Sequence, residues 1–248
     1  MFTTKHDDAE ADADASIRET DGDAALARLS AVRKGYMEDR FIAHFVPRAR
    51  TQGARPPLIN IGTYVRGRAI DGLVEAWLEG KEGVQVVSMG AGSDTRFWRL
   101  ATGKYKDVLR VYVEMDFAEV TGRKAMAIRK SRELSGVLGE GVRVENGGTA
   151  LHGDKYHLLP GDLRLGPETA LGVLRGILDA AAPTLLLFEC VLVYMEPGES
   201  EGLLRWFVEY CTGAVGGVVY EMFGLEDAFG RVMVRNLKVG GALGVRAC

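Results

Sequence analysis

The segment Val84-Gln-Val-Val-Ser-Met-Gly-Ala-Gly-Ser-Asp-Thr95 runs an apolar strand straight into a tight glycine turn. Such a turn brings bare backbone against a ligand at the carboxyl end of a strand, where open α/β sheets bind nucleotides. A dinucleotide site requires Gly-x-Gly-x-x-Gly/Ala, so that the next helix packs closely and offers its amino end to a pyrophosphate. Here Thr95 occupies the third small position and Asp94 stands beside the helix start. A carboxylate there repels phosphate. It suits a ligand that brings a positive charge and no phosphate, and S-adenosylmethionine is one. On this segment alone, a bare turn linking strand to helix is the alternative.

Around the turn, strands alternate with helices. Strands are expected at 84–88, 108–115, near 155–159, at Thr184–Phe188 and at Gly217–Glu221. Between and after them, helical periodicity marks the stretch through Phe97, Trp98 and Leu100, then 118–132, 167–181, 198–211 and Asp227–Leu237. Five such units imply an α/β chain with a doubly wound, mostly parallel sheet and right-handed crossovers. Upstream, Asp23 is expected to cap a helix through Leu26, Leu29 and Val32. A short helix with Phe41, Ile42 and Phe45 follows, then a polar loop at 48–57. A helix from Leu58 to Leu78 comes next, broken near Gly62 or Gly67. These helices precede the first strand and read as a cap.

A chain of 248 residues with 47% hydrophobic content supports one large core. The first 23 positions hold eight acidic residues against Lys5 and Arg18, leaving the remainder close to neutral. That distribution predicts a disordered acidic tail over 1–22 and a single domain over 23–248, with the cap at 23–80 and the core at 81–248. It offers no basic face for nucleic acid. No run of 18 apolar residues is present to span a membrane. Cys190, Cys211 and Cys248 form no C-x-x-C pair, which fits reduced thiols in the cytoplasm. The four histidines lack metal-ligand spacing, so no metal site is expected.

Three acidic positions sit where strand ends converge. Asp116 closes the second strand, where an acidic residue roughly 20 positions past a glycine turn accepts ribose hydroxyls; a simple helix cap is the alternative. Asp162, in Gly161-Asp-Leu-Arg164, has an adenine amino group or an ordinary turn as its two readings. Glu189 follows four apolar strand residues and needs a cation, either a ligand ammonium or an internal arginine. Tyr194 lies near the switch point, facing substrate or packed at a rim. Arg28 and Arg66, on cap helices, are suited to bidentate recognition of a carboxylate, although solvated arginines are the common case.

Together, Ser30-Ala-Val-Arg-Lys-Gly-Tyr36, Gly90-Ala-Gly-Ser-Asp-Thr-Arg-Phe-Trp-Arg-Leu100, Glu114-Met-Asp-Phe117, Gly161-Asp-Leu-Arg164, Glu189-Cys-Val-Leu-Val-Tyr-Met195 and Phe229-Gly-Arg-Val-Met-Val-Arg-Asn-Leu237 resemble the leucine carboxyl methyltransferase family. The resemblance implies a class I, Rossmann-like methyltransferase that uses S-adenosylmethionine. It implies as substrate the C-terminal leucine carboxylate of the protein phosphatase 2A catalytic subunit, recognised through tail and surface. It places cofactor contacts at Arg28, Arg66, Gly90, Asp116, Asp162, Leu163 and Glu189. Catalytic roles are expected for Tyr194 and Arg66, in a cytoplasmic monomer. Family members continue past Leu237 with a last helix and two strands, so an incomplete C-terminal end and an uncovered final strand are expected. The rivals are a wybutosine-type tRNA carboxyl methyltransferase, a noncatalytic remnant that binds cofactor or phosphatase, and a nicotinamide dehydrogenase.

Overall fold

The structure is a computed structural model that describes residues 5–239, with the side chains other than those at 5–14, 16, 229 and 236–239. In chain order its elements are α1 (Lys5–Arg33), α2 (Ile42–Phe45), α3 (Pro57–Leu78), β1 (Val84–Met89), α4 (Arg96–Ala101), β2 (Leu109–Asp116), α5 (Ala118–Lys130), α6 (Arg132–Ser135), β3 (Arg143–Glu145), β4 (Ala150–His152), β5 (Tyr156–Pro160), α7 (Pro167–Leu171), β6 (Thr184–Glu189), α8 (Pro197–Tyr210), β7 (Val215–Tyr220) and α9 (Ala228–Val239). The strands form one sheet of order β3-β4-β5-β2-β1-β6-β7. β5, β2, β1, β6 and β7 run parallel, and β3 and β4 add an antiparallel edge. From β1 the chain moves outward through β2 to β5 on one side, then crosses back to β6 on the other. The crevice beside β1 is therefore the switch point at which α/β sheets take ligands.

Strand alternation builds two cores. Val84 and Val86 of β1 and Leu185 and Leu187 of β6 face one side, against Ile70, Val74 and Leu78 of α3 and Phe97 and Trp98 of α4. Val87 and Met89, with Leu186 and Phe188, face the other side, against Leu171, Leu203 and Phe207. Both faces of the central strands are covered, which is why β1 and β6 read as mostly apolar runs, with buried Gln85 and Ser88 the polar members of β1. Phe97 is fully buried, with ring centroids 5.3 Å from Trp98, 5.7 Å from Tyr112 and 4.6 Å from Tyr156.

Several expectations need correction. α1 runs through Asp23 without a break, so Asp23 caps nothing; its carboxylate meets Arg55 at 2.8 Å. The stretch from Lys5 to residue 22 is helical rather than a disordered tail, in keeping with its alanines. α3 continues through Gly62 and Gly67. Its three interior glycines, Gly72 included, cost about 1 kcal/mol each, and the buried face of Ile70, Val74 and Leu78 outweighs that. Gly67 permits close approach, since a Cβ there would lie 3.2 Å from Met37 Cε and 3.6 Å from Arg28 Nη1. The helix expected over 167–181 stops at Leu171 and tightens into a 3-10 turn over Gly172–Gly176, where two glycines weaken it.

β7 pairs only with β6 among the described residues, and Val219 on it and Phe223 just after it are exposed. The stretch 240–248 and the side chains of Phe229 and Leu237 lie outside the described residues. Among the described residues no helix is long and apolar enough to cross a membrane. Phe97→Ala is expected to cost about 3–5 kcal/mol, read as a lower urea midpoint at unchanged slope. A loss below about 1 kcal/mol would mean that the aromatic cluster does not hold α4 on the sheet.

Candidate functional site

Four strand ends and two cap helices meet around one cavity of about 440 Å³, within the roughly 300–1,000 Å³ range of small-molecule sites. Every site residue singled out from the sequence lines it: Gly90, Asp116, Asp162, Leu163, Glu189 and Tyr194 from the sheet side, Arg28 and Arg66 from the cap. β1 delivers the glycine turn. Gly90 and Gly92 adopt φ of 59° and 48°, a region that disfavours side chains. A Cβ on Gly90 would lie 2.6 Å from Val191 Cγ2, and one on Gly92 2.7 Å from Asp21 Oδ1. A side chain at Gly90 would push on Val191, and one at Gly92 would displace the Asp21 carboxylate.

The turn's amides point at carboxylates. Gly92 N–H donates to Asp116 Oδ2 at 2.8 Å, and Ser93 N–H to Asp21 Oδ1 at 2.6 Å. Asp116 also accepts from Phe117 N–H at 2.7 Å, while α5 starts beyond it without a side-chain cap. The cap reading of Asp116 therefore does not hold. Burial pushes its carboxyl up to about 6 despite these two N–H donors, and Asp21 adds repulsion. Asp162 meets Arg164 Nη2 at 2.6 Å and accepts the Arg164 N–H at 3.0 Å, so it closes a local turn while lining the cavity.

Glu189 finds an internal cation. Arg66 Nε donates to its Oε1 at 2.5 Å, and Arg96 Nη2 approaches Oε2 at 3.5 Å. Burial opposes the charge of Arg66, but Glu189 holds its pKa above the ordinary value. Asp94, whose place beside the turn suggested a ligand cation, lines the cavity and finds an internal cation. It caps the Arg96 N–H at 2.9 Å and pairs with Arg96 Nη1, which also meets the carboxylates around it through Nε–Asp71 at 3.0 Å. Burial works against ionised Asp94, yet Arg96, then Arg99, Lys124 and Arg28, hold it down to about 2.

Arg28 Nε donates to buried Asp39 at 2.5 Å, leaving Nη2 buried without a hydrogen-bond partner at the cavity wall. That donor is free for an anionic group. Tyr194 stands on the turn after β6, where Glu221 fixes the N–H groups of Val191 and Leu192 at 2.9 and 2.7 Å. Burial raises the pKa of its hydroxyl, which therefore stays protonated and able to donate.

Sequence reasoning overlooked Asp21 and Arg96. Asp21 lay inside the presumed tail, although Ile17, Asp21, Ala24 and Arg28 recur at helical spacing and all line the cavity. Arg96 lay inside the glycine motif but was passed over for the aromatics beside it. The buried Lys124–Glu114 pair, at 2.6 Å, was also missed; Lys124 Nζ donates to the Asp94 carbonyl at 2.8 Å and so grips the turn from behind.

A family model described as leucine carboxyl methyltransferase matches residues 8–208. Leucine carboxyl methyltransferase 1 of Cryptococcus neoformans is 42% identical over 91% of this chain and 71% of its own length. The protein of that name from Aspergillus fumigatus is 38% identical over 92% and 64%, and that from Schizosaccharomyces pombe 36% over 92% and 71%. The chain belongs to the leucine carboxyl methyltransferase family. It spans about two thirds of the length of these relatives. Membership carries carboxyl methyl transfer as the coarse activity, and the sheet is consistent with the α/β fold of such a methyltransferase.

The pKa of Asp94 is depressed in the fold, so its ionisation contributes stability that is complete above 3.8 and is lost as pH falls toward about 2. Asp94→Asn is expected to cost about 3–5 kcal/mol at neutral pH, as when one partner of a buried pair is removed. Chemical denaturation should show the gap between the two proteins narrowing as acid protonates the wild-type carboxylate. A gap independent of pH would contradict a buried anion at Asp94.

Proposed function

We propose that this chain transfers a methyl group from S-adenosylmethionine to the α-carboxylate of the C-terminal leucine of a protein phosphatase 2A catalytic subunit, forming a methyl ester. The observation that supports this most is the charge order at the glycine turn. The N–H groups of Gly92 and Ser93, which a dinucleotide would need for its pyrophosphate, already donate to Asp116 and Asp21. A phosphate brought there would meet two carboxylates. That favours a phosphate-free nucleoside and disfavours a nicotinamide dehydrogenase.

S-adenosylmethionine supplies an electrophilic methyl on a sulfonium. For it, Asp116 is placed to accept from ribose hydroxyls, Asp162 from an adenine amino group, and Leu163 to pack against the base. The orphan Nη2 of Arg28 suits its carboxylate, and Glu189, now paired with Arg66, suits its ammonium. Gly90 leaves room for close approach.

The acceptor needs no general base, because a terminal carboxylate has a pKa of about 3.5 and is already an anion. Arg66 attracts it, and the protonated Tyr194 hydroxyl orients it by donating. Met195, Met222 and Met233 on the cavity wall give an adaptable apolar surface for a leucine side chain. Opposite charges neutralise one another as the ester forms, so excluding water and fixing the two partners supply the acceleration. Orientation of this kind is worth up to about 7–11 kcal/mol. We read the protein as a cytoplasmic monomer acting on a folded partner.

Radiolabelled S-adenosylmethionine with purified phosphatase catalytic subunit should label the intact subunit and leave one lacking the terminal leucine unlabelled. Mild alkali should release the label. Alkali-stable label, or label on the truncated subunit, would contradict the substrate reading.

A second outcome follows from Asp116, whose carboxylate is ionised only above about 6. Calorimetric affinity for the cofactor should weaken as pH falls through that value. Asp116→Asn should lower affinity by about 10- to 100-fold at pH 8, the loss of charged hydrogen bonds, and flatten the pH profile. An unchanged profile in the variant would remove Asp116 from the ribose site.

A further inference from the structure

Arg96 lies immediately behind the cavity, at the start of α4, with a side chain only 3% exposed. Its guanidinium faces three carboxylates on three different segments: Asp71 on α3 through Nε at 3.0 Å, Asp94 on the glycine turn through Nη1, and Glu189 at the tip of β6 through Nη2 at 3.5 Å. Asp71 also takes Arg99 at 2.6 Å, and Glu189 takes Arg66 at 2.5 Å. Three acids thus face three arginines, and the cluster is neutral only with Arg96 in place. Asp94, Glu189 and Arg66 line the cavity, while Arg96 does not. Its charge therefore reaches a ligand only through the groups it neutralises.

We infer that Arg96 is a positioning residue that sets the net charge of the methyl-transfer cavity, making it receptive to an anionic acceptor at some expense to the cationic cofactor. This rests on the proposed use of S-adenosylmethionine. Without Arg96 the cluster carries one net negative charge beside the site. An incoming carboxylate is then repelled, Arg66 is held more firmly by Glu189, and a sulfonium is favoured over the uncharged thioether of the product. Low-dielectric surroundings let such a charge act across the wall, because Arg96 and Asp94 are buried.

The test compares calorimetric affinities for S-adenosylmethionine and S-adenosylhomocysteine, ligands that differ by the methyl and its positive charge. Arg96→Gln should shift the ratio of the two affinities toward the sulfonium by about five- to tenfold, the order expected for one charge in a medium of intermediate dielectric. It should also raise KM for the phosphatase subunit. Arg96→Lys, which keeps the charge, should restore most of the wild-type ratio. Asp71→Asn removes a negative charge from the far side and should move the ratio the opposite way, so the test survives if Arg96→Gln fails to fold. Equal weakening of both ligands in Arg96→Gln, or shifts of the same sign in Arg96→Gln and Asp71→Asn, would overturn the inference and leave a purely structural role. A wild-type protein that binds neither ligand would overturn the cofactor reading itself, a different result.

Discussion

Buried charge has to be matched, and in this chain the matching fixes where the cap sits on the sheet. An unpaired ion in a protein interior costs several kcal/mol even after relaxation. Arg96, Asp71, Asp94 and Glu189 meet that demand only while α3, α4 and the tip of β6 hold their mutual places. Lys124 meets it from the other side, paired with fully buried Glu114 and lying over the rings of Phe45 and Trp98 at 5.5 and 5.7 Å. The glycine turn is gripped between these two sets of charges. A flexible loop would sample many shapes at the same sequence, whereas this one is tied at its amides, its carbonyl and its first helical turn.

The same pairings decide what the cavity can accept. Its floor is acidic where the turn's N–H groups meet Asp116 and Asp21, and its roof is cationic where Arg28 and Arg66 descend from the cap. α1 completes the enclosure, with Asp21 on the turn and Arg18 reaching Glu119 at 3.5 Å. Groups distant in the chain meet there, as Arg66 and Glu189, 123 residues apart, illustrate. The polarity of the site is consequently a property of the assembled fold, and no local motif carries it.

That separation explains what the sequence disclosed and what it withheld. The central strands were legible because strands covered on both faces are mostly apolar, and the glycine turn because a side chain at Gly90 or Gly92 would crowd Val191 or Asp21. Strand ends in one sheet converge, so Asp116, Asp162 and Glu189 fell together once the alternation was recognised. β3 and β4 were missed because each spans three residues, and β3 is exposed along its length. Such a segment has no hydrophobic pattern to betray it. α1 was cut short because acidic composition was read as disorder, when a helix can carry the same residues with one face against the sheet tips. The pairing of charges was the least legible feature of all. Sequence spacing shows that Glu189 needs a cation and Arg96 an anion, but only the crossover of the chain brings Arg66 to one and three carboxylates to the other.

The most direct measurement is a crystal structure of the chain grown with S-adenosylhomocysteine. The account predicts density for the whole nucleoside in the crevice beside β1, its ribose on Asp116, its base against Leu163 and its carboxylate on Arg28. Density elsewhere on the molecule, or a crevice closed by side chains with no space for adenosine, would contradict it.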